Sequence, residues 1–141
     1  MKFEIDVLLL CADKDNEPIA KGQAGWVTQF KKFLELMLAQ VLGEKPKILL
    51  KSEFDSITAP DLEAAILVPV LSKDFIQSGR CLDSLEAFIK AAEATTRGRN
   101  RVFKVFKSPL TIQEQPPRVR ELLGYEMYQV DAESGEIKDY S

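Results

Sequence analysis

The sequence predicts one α/β domain, a five-stranded parallel sheet flanked by helices in three layers. Three observations predict it. The apolar runs Val7-Leu8-Leu9-Leu10-Cys11 and Ala64 to Leu71 are unbroken rather than alternating, as strands covered on both faces are. Segments of helical spacing and long polar connections separate the strand candidates, and such crossovers imply parallel pairing. The chain has 141 residues, enough for one core and too few for two comfortable ones.

Taken in order, Phe3 to Cys11 ends on the first apolar run and predicts a central strand. Ala12 to Gly25 holds Asp13, Asp15, Asn16, Pro18 and two glycines, which predicts a loop long enough to be in use. From Trp26 the apolar residues fall at Trp26, Phe30, Phe33, Leu34, Met37, Leu38 and Val41, the spacing of an amphipathic helix, and Gly43 is its natural stop. Phe33 lies at the middle of this stripe, so Phe33→Ala is expected to cost about 3–5 kcal/mol if the ring is fully buried. Lys47 to Lys51, with Ile48-Leu49-Leu50 after Pro46, predicts a second strand, and Ser52 to Asp61 a loop without helical period. The third strand is Ala64 to Leu71, where Pro69 requires a bulge or a locally unpaired neighbour because it cannot donate to a ladder.

Ser72-Lys73-Asp74 then leaves the sheet. Cys81, Leu82, Leu85, Phe88, Ile89 and Ala92 form a second helical stripe, ending near the turn Arg97-Gly98-Arg99-Asn100. Val102 to Phe106 follows as a fourth strand, Ser108 to Pro117 as an irregular connection, and Arg118 to Leu123 as a short helix stopped by Gly124. Tyr125 to Val130 is the fifth strand. The domain therefore spans 1–130, and the polar stretch 131–141 reads as a fraying end or the start of a linker to a further domain.

A net charge of −3, without a basic face carrying interleaved aromatics, gives no attraction for nucleic acid. The apolar runs are far shorter than the roughly 20 residues of a spanning helix, and the acidic start Glu4, Asp6 is unlike a signal peptide. A soluble cytoplasmic protein without membrane contact is expected. Cys11 and Cys81 read as buried free thiols, because the chain has no histidine and no paired-cysteine spacing from which to build a zinc site. The lack of histidine also removes Ser/His and Cys/His nucleophile pairs. Any catalysis must rest on carboxylates and on a substrate with an intrinsically good leaving group.

The segment Ile66-Leu67-Val68-Pro69-Val70-Leu71-Ser72-Lys73-Asp74-Phe75-Ile76-Gln77-Ser78-Gly79-Arg80-Cys81-Leu82 resembles the signature of the TIR (Toll/interleukin-1 receptor) family in its bacterial form. That signature is an apolar strand, Leu-Ser, an aromatic, then Ser, two residues and Cys at a helix start. Ile5-Asp6-Val7-Leu8-Leu9, followed by Asp13 and Asp15, resembles the family's opening strand and acidic loop. The resemblance covers most of the chain. It implies a flavodoxin-like five-stranded parallel sheet, homotypic TIR–TIR association, an attached sensor domain and a part in immune signalling. This sequence departs from the family pattern in three places: Leu10-Cys11 stands at the end of the first strand, no glycine lies between Ser52 and Asp61, and the helix before the third strand is curtailed to a few residues around Pro60 to Ala64.

In NAD⁺-cleaving members of the family a glutamate on the helix after the Ser-x-x-Cys block lies by the nicotinamide ribose. The resemblance thus implies NAD⁺ as substrate, with no metal and no separate cofactor. The family spacing falls on Ser84, with Asp83 before it and Glu86 two residues on. At 100° per residue Ser84 and Glu86 sit on opposite edges of the stripe centred on Leu85. Glu86 is the candidate catalytic acid, because nicotinamide leaves as a neutral molecule and the oxocarbenium-like ribose needs a negative charge. The alternative for Glu86 is a solvated helix flank. Substrate contacts are implied for Ala12, Asp13, Trp26, Phe54 and Cys81. Trp26 also reads as a core residue, and Arg80 as either a phosphate partner or a surface cation.

Two functions follow: an NAD⁺ nucleosidase acting by hydrolysis or cyclisation when assembled, or a non-catalytic TIR interaction module. A phosphoacceptor reading of Asp13 and Asp15 ranks last, since the third strand ends in Leu71-Ser72 without the aspartate that chemistry needs.

Overall fold

Val7–Cys11 (β1) is buried along its whole length, as an unbroken apolar run at the centre of a sheet must be. The computed structural model describes residues 3–95, 101–130 and 137–139. β1 pairs in parallel with Ile48–Ser52 (β2) on one side and Ile66–Leu71 (β3) on the other, in registers that set Val7 level with Ile48 and Ile66. Lys104–Phe106 (β4) and Gly124–Glu126 (β5) extend the sheet to the order β2-β1-β3-β4-β5, parallel throughout. The predicted fold class is the observed one.

Successive residues of β1 feed opposite faces, so the sheet has a core on each side. Trp26–Leu42 (α1) lies on one face, where Val27 and Phe30 pack with Val7, Leu9, Val68 and Val70. Lys73–Gln77 (α2) and Gly79–Glu93 (α3) cover the other, where Phe75, Leu85 and Phe88 pack with Leu8, Leu10, Leu67 and Leu71. Pro69 leaves a gap in the β3–β4 ladder rather than a bulge. Phe103 N–H donates to Leu67 O at 2.9 Å, but Pro69 has no N–H to return to β4, and pairing resumes at Val70 and Val105 in the same register.

α1 begins and ends where glycines place it. Gly43 takes the left-handed conformation (φ 76°) and donates its N–H to Ala39 O at 2.9 Å. Gly25 at the other end has no side chain to cap with, and Asn16 from the preceding loop does it instead. The Asn16 Oδ1 accepts Thr28 N–H at 2.8 Å while its Nδ2 donates to Thr28 Oγ1 at 3.0 Å. A Cβ on Gly25 would come within 1.9 Å of the Asn16 carbonyl oxygen, so the docked loop and the glycine require each other.

Several expectations are corrected. Phe33 is half exposed, so the full burial behind the 3–5 kcal/mol cost is not met. Val27, Phe30, Leu34 and Leu38 make the seam on the sheet, and Phe33 and Met37 lie on its flank. The predicted helix Arg118 to Leu123 is only a 3-10 turn at Pro117–Val119, and Gly124 opens β5 because the strand passes close over Lys104. A Cβ there would lie 2.7 Å from Lys104 Cγ. The predicted fifth strand is two pieces. Met127 N–H makes a last bond to Phe106 O at 2.8 Å, after which Tyr128–Val130 (β6) pairs antiparallel with Ile137–Asp139 (β7), residues expected in a polar tail. The basic turn at 97–100 and the stretch 131–136 lie outside the described residues.

The long loop after β1 carries a 3-10 turn at Asp13–Asn16, and the curtailed element before β3 is a 3-10 turn at Asp61–Glu63. Among the described residues no helix is long and apolar enough to cross a membrane.

Candidate functional site at the carboxyl ends of the strands

The chain leaves β1 toward β2 on one side and reaches β3 on the other, and the loops after β1 and β3 part at this switch point, where parallel sheets bind ligands. Two adjoining clefts open there. One, of about 390 Å³, is lined by Asp13, Lys14, Glu53, Phe54, Asp74 and Ser78. The other, of about 370 Å³, is lined by Lys14, Asp15, Pro18, Trp26, Gln29 and Lys107.

Glu53 ties three loops together around the first cleft. The β1–β2 register sets Ser52 level with Cys11, which brings the next residue, Glu53, beside Asp13. Its Oε1 accepts the Asp13 N–H at 2.9 Å and its Oε2 accepts the Ser78 hydroxyl at 2.8 Å. Both donors favour the ionised form and hold this carboxyl below its usual range. Ser78 in turn caps α3 by accepting Cys81 N–H at 3.1 Å, so the Ser-x-x-Cys spacing is a helix cap coupled to the cleft.

Asp15 lies beneath the second cleft, buried, accepting the Ser72 hydroxyl and standing 3.4 Å from Lys107 Nζ. Ser72 also caps α2 by accepting Phe75 N–H at 3.0 Å. Burial pushes the Asp15 carboxyl above its ordinary 3.8, against the opposing pull of Ser72 and Lys107. Between 3.8 and the raised native value the folded chain holds a proton that the unfolded chain has lost, so this group makes stability fall as pH rises through that window. Asp15→Asn is expected to remove that slope. Melting temperatures of both proteins across acidic pH measure it, and a difference between them that does not change with pH would refute the assignment.

The predicted contact residues divide. Asp13 and the exposed Phe54 line the same cleft, and Trp26 lines its neighbour while stacking on Phe30 at 5.4 Å between ring centroids, serving as core and cleft wall together. Ala12 and Cys81 are buried and line neither cleft. Cys81 Sγ–H points at the Cys11 carbonyl oxygen at 3.4 Å, and burial pushes the two thiols up to about 11 for Cys81 and about 12 for Cys11. They are neutral thiols in the core, as the sequence indicated.

Glu86 lies apart from both clefts. Its carboxylate accepts from Arg118 Nη2 at 2.8 Å, and the same guanidinium pairs with Glu93. Neither Asp83 nor Ser84 lines either cleft.

The first cleft is anionic, half open and edged by one aromatic ring, a setting suited to a cationic or hydroxyl-rich group, with carboxylates as the available proton carriers. Among the described residues no three Cys, Asp or Glu side chains are placed to share a metal ion. The fold and clefts define an α/β domain with a ligand-sized opening at its switch point. No known family model matches the chain, and no curated protein matches it.

Proposed function

We propose that this chain is a TIR-like signalling domain whose work is assembly with other TIR-like domains, in immune-type signalling and alongside a sensor domain. The parallel sheet and the Ser78–Cys81 cap on α3 support the TIR-like reading. One observation favours assembly over catalysis: α3 presents no carboxylate to either cleft, with Ser84 at the position the resemblance assigns to the glutamate and Glu86 engaged by Arg118. A charge that must stabilise an oxocarbenium-like ribose acts only from within contact distance.

NAD⁺ cleavage is the second reading, and Glu53 favours it. This carboxylate is ionised, fixed by two donors and adjacent to Phe54, so it could meet a cationic ribose without reorganising. The experiment is incubation of concentrated or artificially clustered protein with NAD⁺ while nicotinamide release is followed. No release is expected from the wild type, and Glu86→Gln should leave assembly intact. Release from the wild type overturns the non-catalytic reading. If that release survives Glu86→Gln and is abolished by Glu53→Gln, the catalytic acid is Glu53; if Glu86→Gln abolishes it, Glu86 swings into the cleft on assembly.

A further inference from the structure

We infer that the second cleft is a binding site for a small aromatic anion, one flat ring carrying one carboxylate or phosphate group. The inference is separate from the assembly reading and adds a ligand to it. The cleft encloses about 370 Å³, near the lower end of the roughly 300–1,000 Å³ of small-molecule sites, so a single ring with an acid group fills it and a dinucleotide does not. Its wall is Trp26, half-buried and stacked on Phe30, so the indole rests on the core while it borders the opening. Pro18 and Ile19, the latter 95% exposed, extend apolar surface along the rim. An indole held in place this way can stack a flat ring at little cost in ordering.

The polar groups select the charge. Both carboxylate oxygens of Asp15 already have donors, Oδ2 the Ser72 hydroxyl and Oδ1 the Lys107 ammonium at 3.4 Å. Lys107 is less satisfied. That contact is its one side-chain partner among the described residues, which leaves N–H groups free for a ligand on a side chain only 27% exposed. Lys14 adds a second ammonium, without a hydrogen bond or ion pair among the described residues, and Gln29, which donates to the Ala24 carbonyl at 2.9 Å, keeps a second amide N–H. The unmet groups are thus mainly donors, and Glu17, the other carboxylate of the lining, is exposed at the rim where water meets it. A partly desolvated ammonium facing an acid group makes the stronger kind of hydrogen bond. The site is also preformed: Lys107 N–H is fixed to Leu71 O at 3.0 Å, and Asn16 holds the loop to Thr28.

Trp26 is the chain's single tryptophan and reports on the site directly. Its emission is followed while the intact chain is titrated with benzoate, with phenyl phosphate, and with benzamide and acetate, which lack the charge and the ring respectively. A saturable change is expected with at least one of the two ring anions and with neither control, and the tighter of the two identifies the acid group. Lys107→Gln is expected to weaken that binding roughly 10–100-fold with unchanged circular dichroism, the loss of a hydrogen bond to a charged group. Lys14→Gln, at an exposed position, is expected to weaken it several-fold. No saturable change with either ring anion overturns the site. An equal response to benzamide overturns the anion assignment, and an equal response to acetate overturns the ring. Unaltered affinity in Lys107→Gln, or in Lys14→Gln should the first variant not fold, overturns the role of the two ammonium groups.

Discussion

Phe75→Ala is expected to cost about 3–5 kcal/mol, the cost of deleting a fully buried aromatic ring, and to lower the melting temperature by roughly 10–15 °C for a domain of this size. Phe75 is wholly buried, among Leu71, Cys81, Leu85 and Phe106 on the α3 face of the sheet. It is also the anchor of α2, a helix of five residues that could not persist on propensity alone. α2 and its cap carry Asp74 and Ser78 to the first cleft, so the cavity left by the ring should loosen that wall and the Ser78–Glu53 bond with it. Phe54→Ala is the matched control, because Phe54 lines the same cleft from an exposed position. Thermal melts of the two variants decide the matter. A shift of only a few degrees for Phe75→Ala would mean that the core closes over the gap and that α2 is held some other way.

The sheet was legible because its strands are buried on both faces and therefore write themselves as unbroken apolar runs. β1 and β3 needed nothing more. α1 was legible in extent, with Gly43 at its end, but periodicity reports only which side chains share a face. It carries no information on how much sheet lies beneath that face, and so Phe33 and Met37 were placed in a core that stops at Phe30, Leu34 and Leu38. β5 was less legible because it is three exposed residues whose position is set by Gly124 passing over Lys104, a tertiary contact rather than a pattern.

The candidate site was legible in part for the same reason. Strand ends locate loops, and the loops that carry Asp13 and Phe54, for which the resemblance implied contacts, meet at one opening. Glu53 had no local signal, since its meaning comes from the register that sets Ser52 against Cys11 and from a serine on a distant helix. A charged residue two positions past the predicted strand Lys47 to Lys51 was the clue available. Glu86 shows the reverse. The helical angle rightly set it apart from Ser84, but its partner Arg118 lies 32 residues further along the chain, in a segment expected to be a helix.

The second large effect is expected at Lys104, a buried ammonium on β4. Its Nζ donates to Gln115 Oε1 at 2.8 Å, Val119 O at 2.7 Å and Arg120 O at 3.2 Å, and it stands 5.5 Å from the centroid of the Phe106 ring. Those bonds fasten the irregular 107–122 connection, which has no long helix or strand of its own, to the sheet. Burial draws the Lys104 pKa below its ordinary 10.5, so the site bears a real cost for holding the charge. Lys104→Met removes that cost but strands the buried Gln115 Oε1, at about 1–3 kcal/mol, while Val119 O keeps its bond from Leu122 N–H at 3.1 Å and the more exposed Arg120 carbonyl can turn to water. The expected net loss is about 1–3 kcal/mol. Adding Gln115→Met should recover part of it, because the stranded acceptor is then gone, and a double-mutant cycle reads this as a coupling of opposite sign to the single losses. Strictly additive losses, or a Lys104→Met variant as stable as the wild type, would show that the connection is held by Val119 and its apolar neighbours rather than by the ammonium.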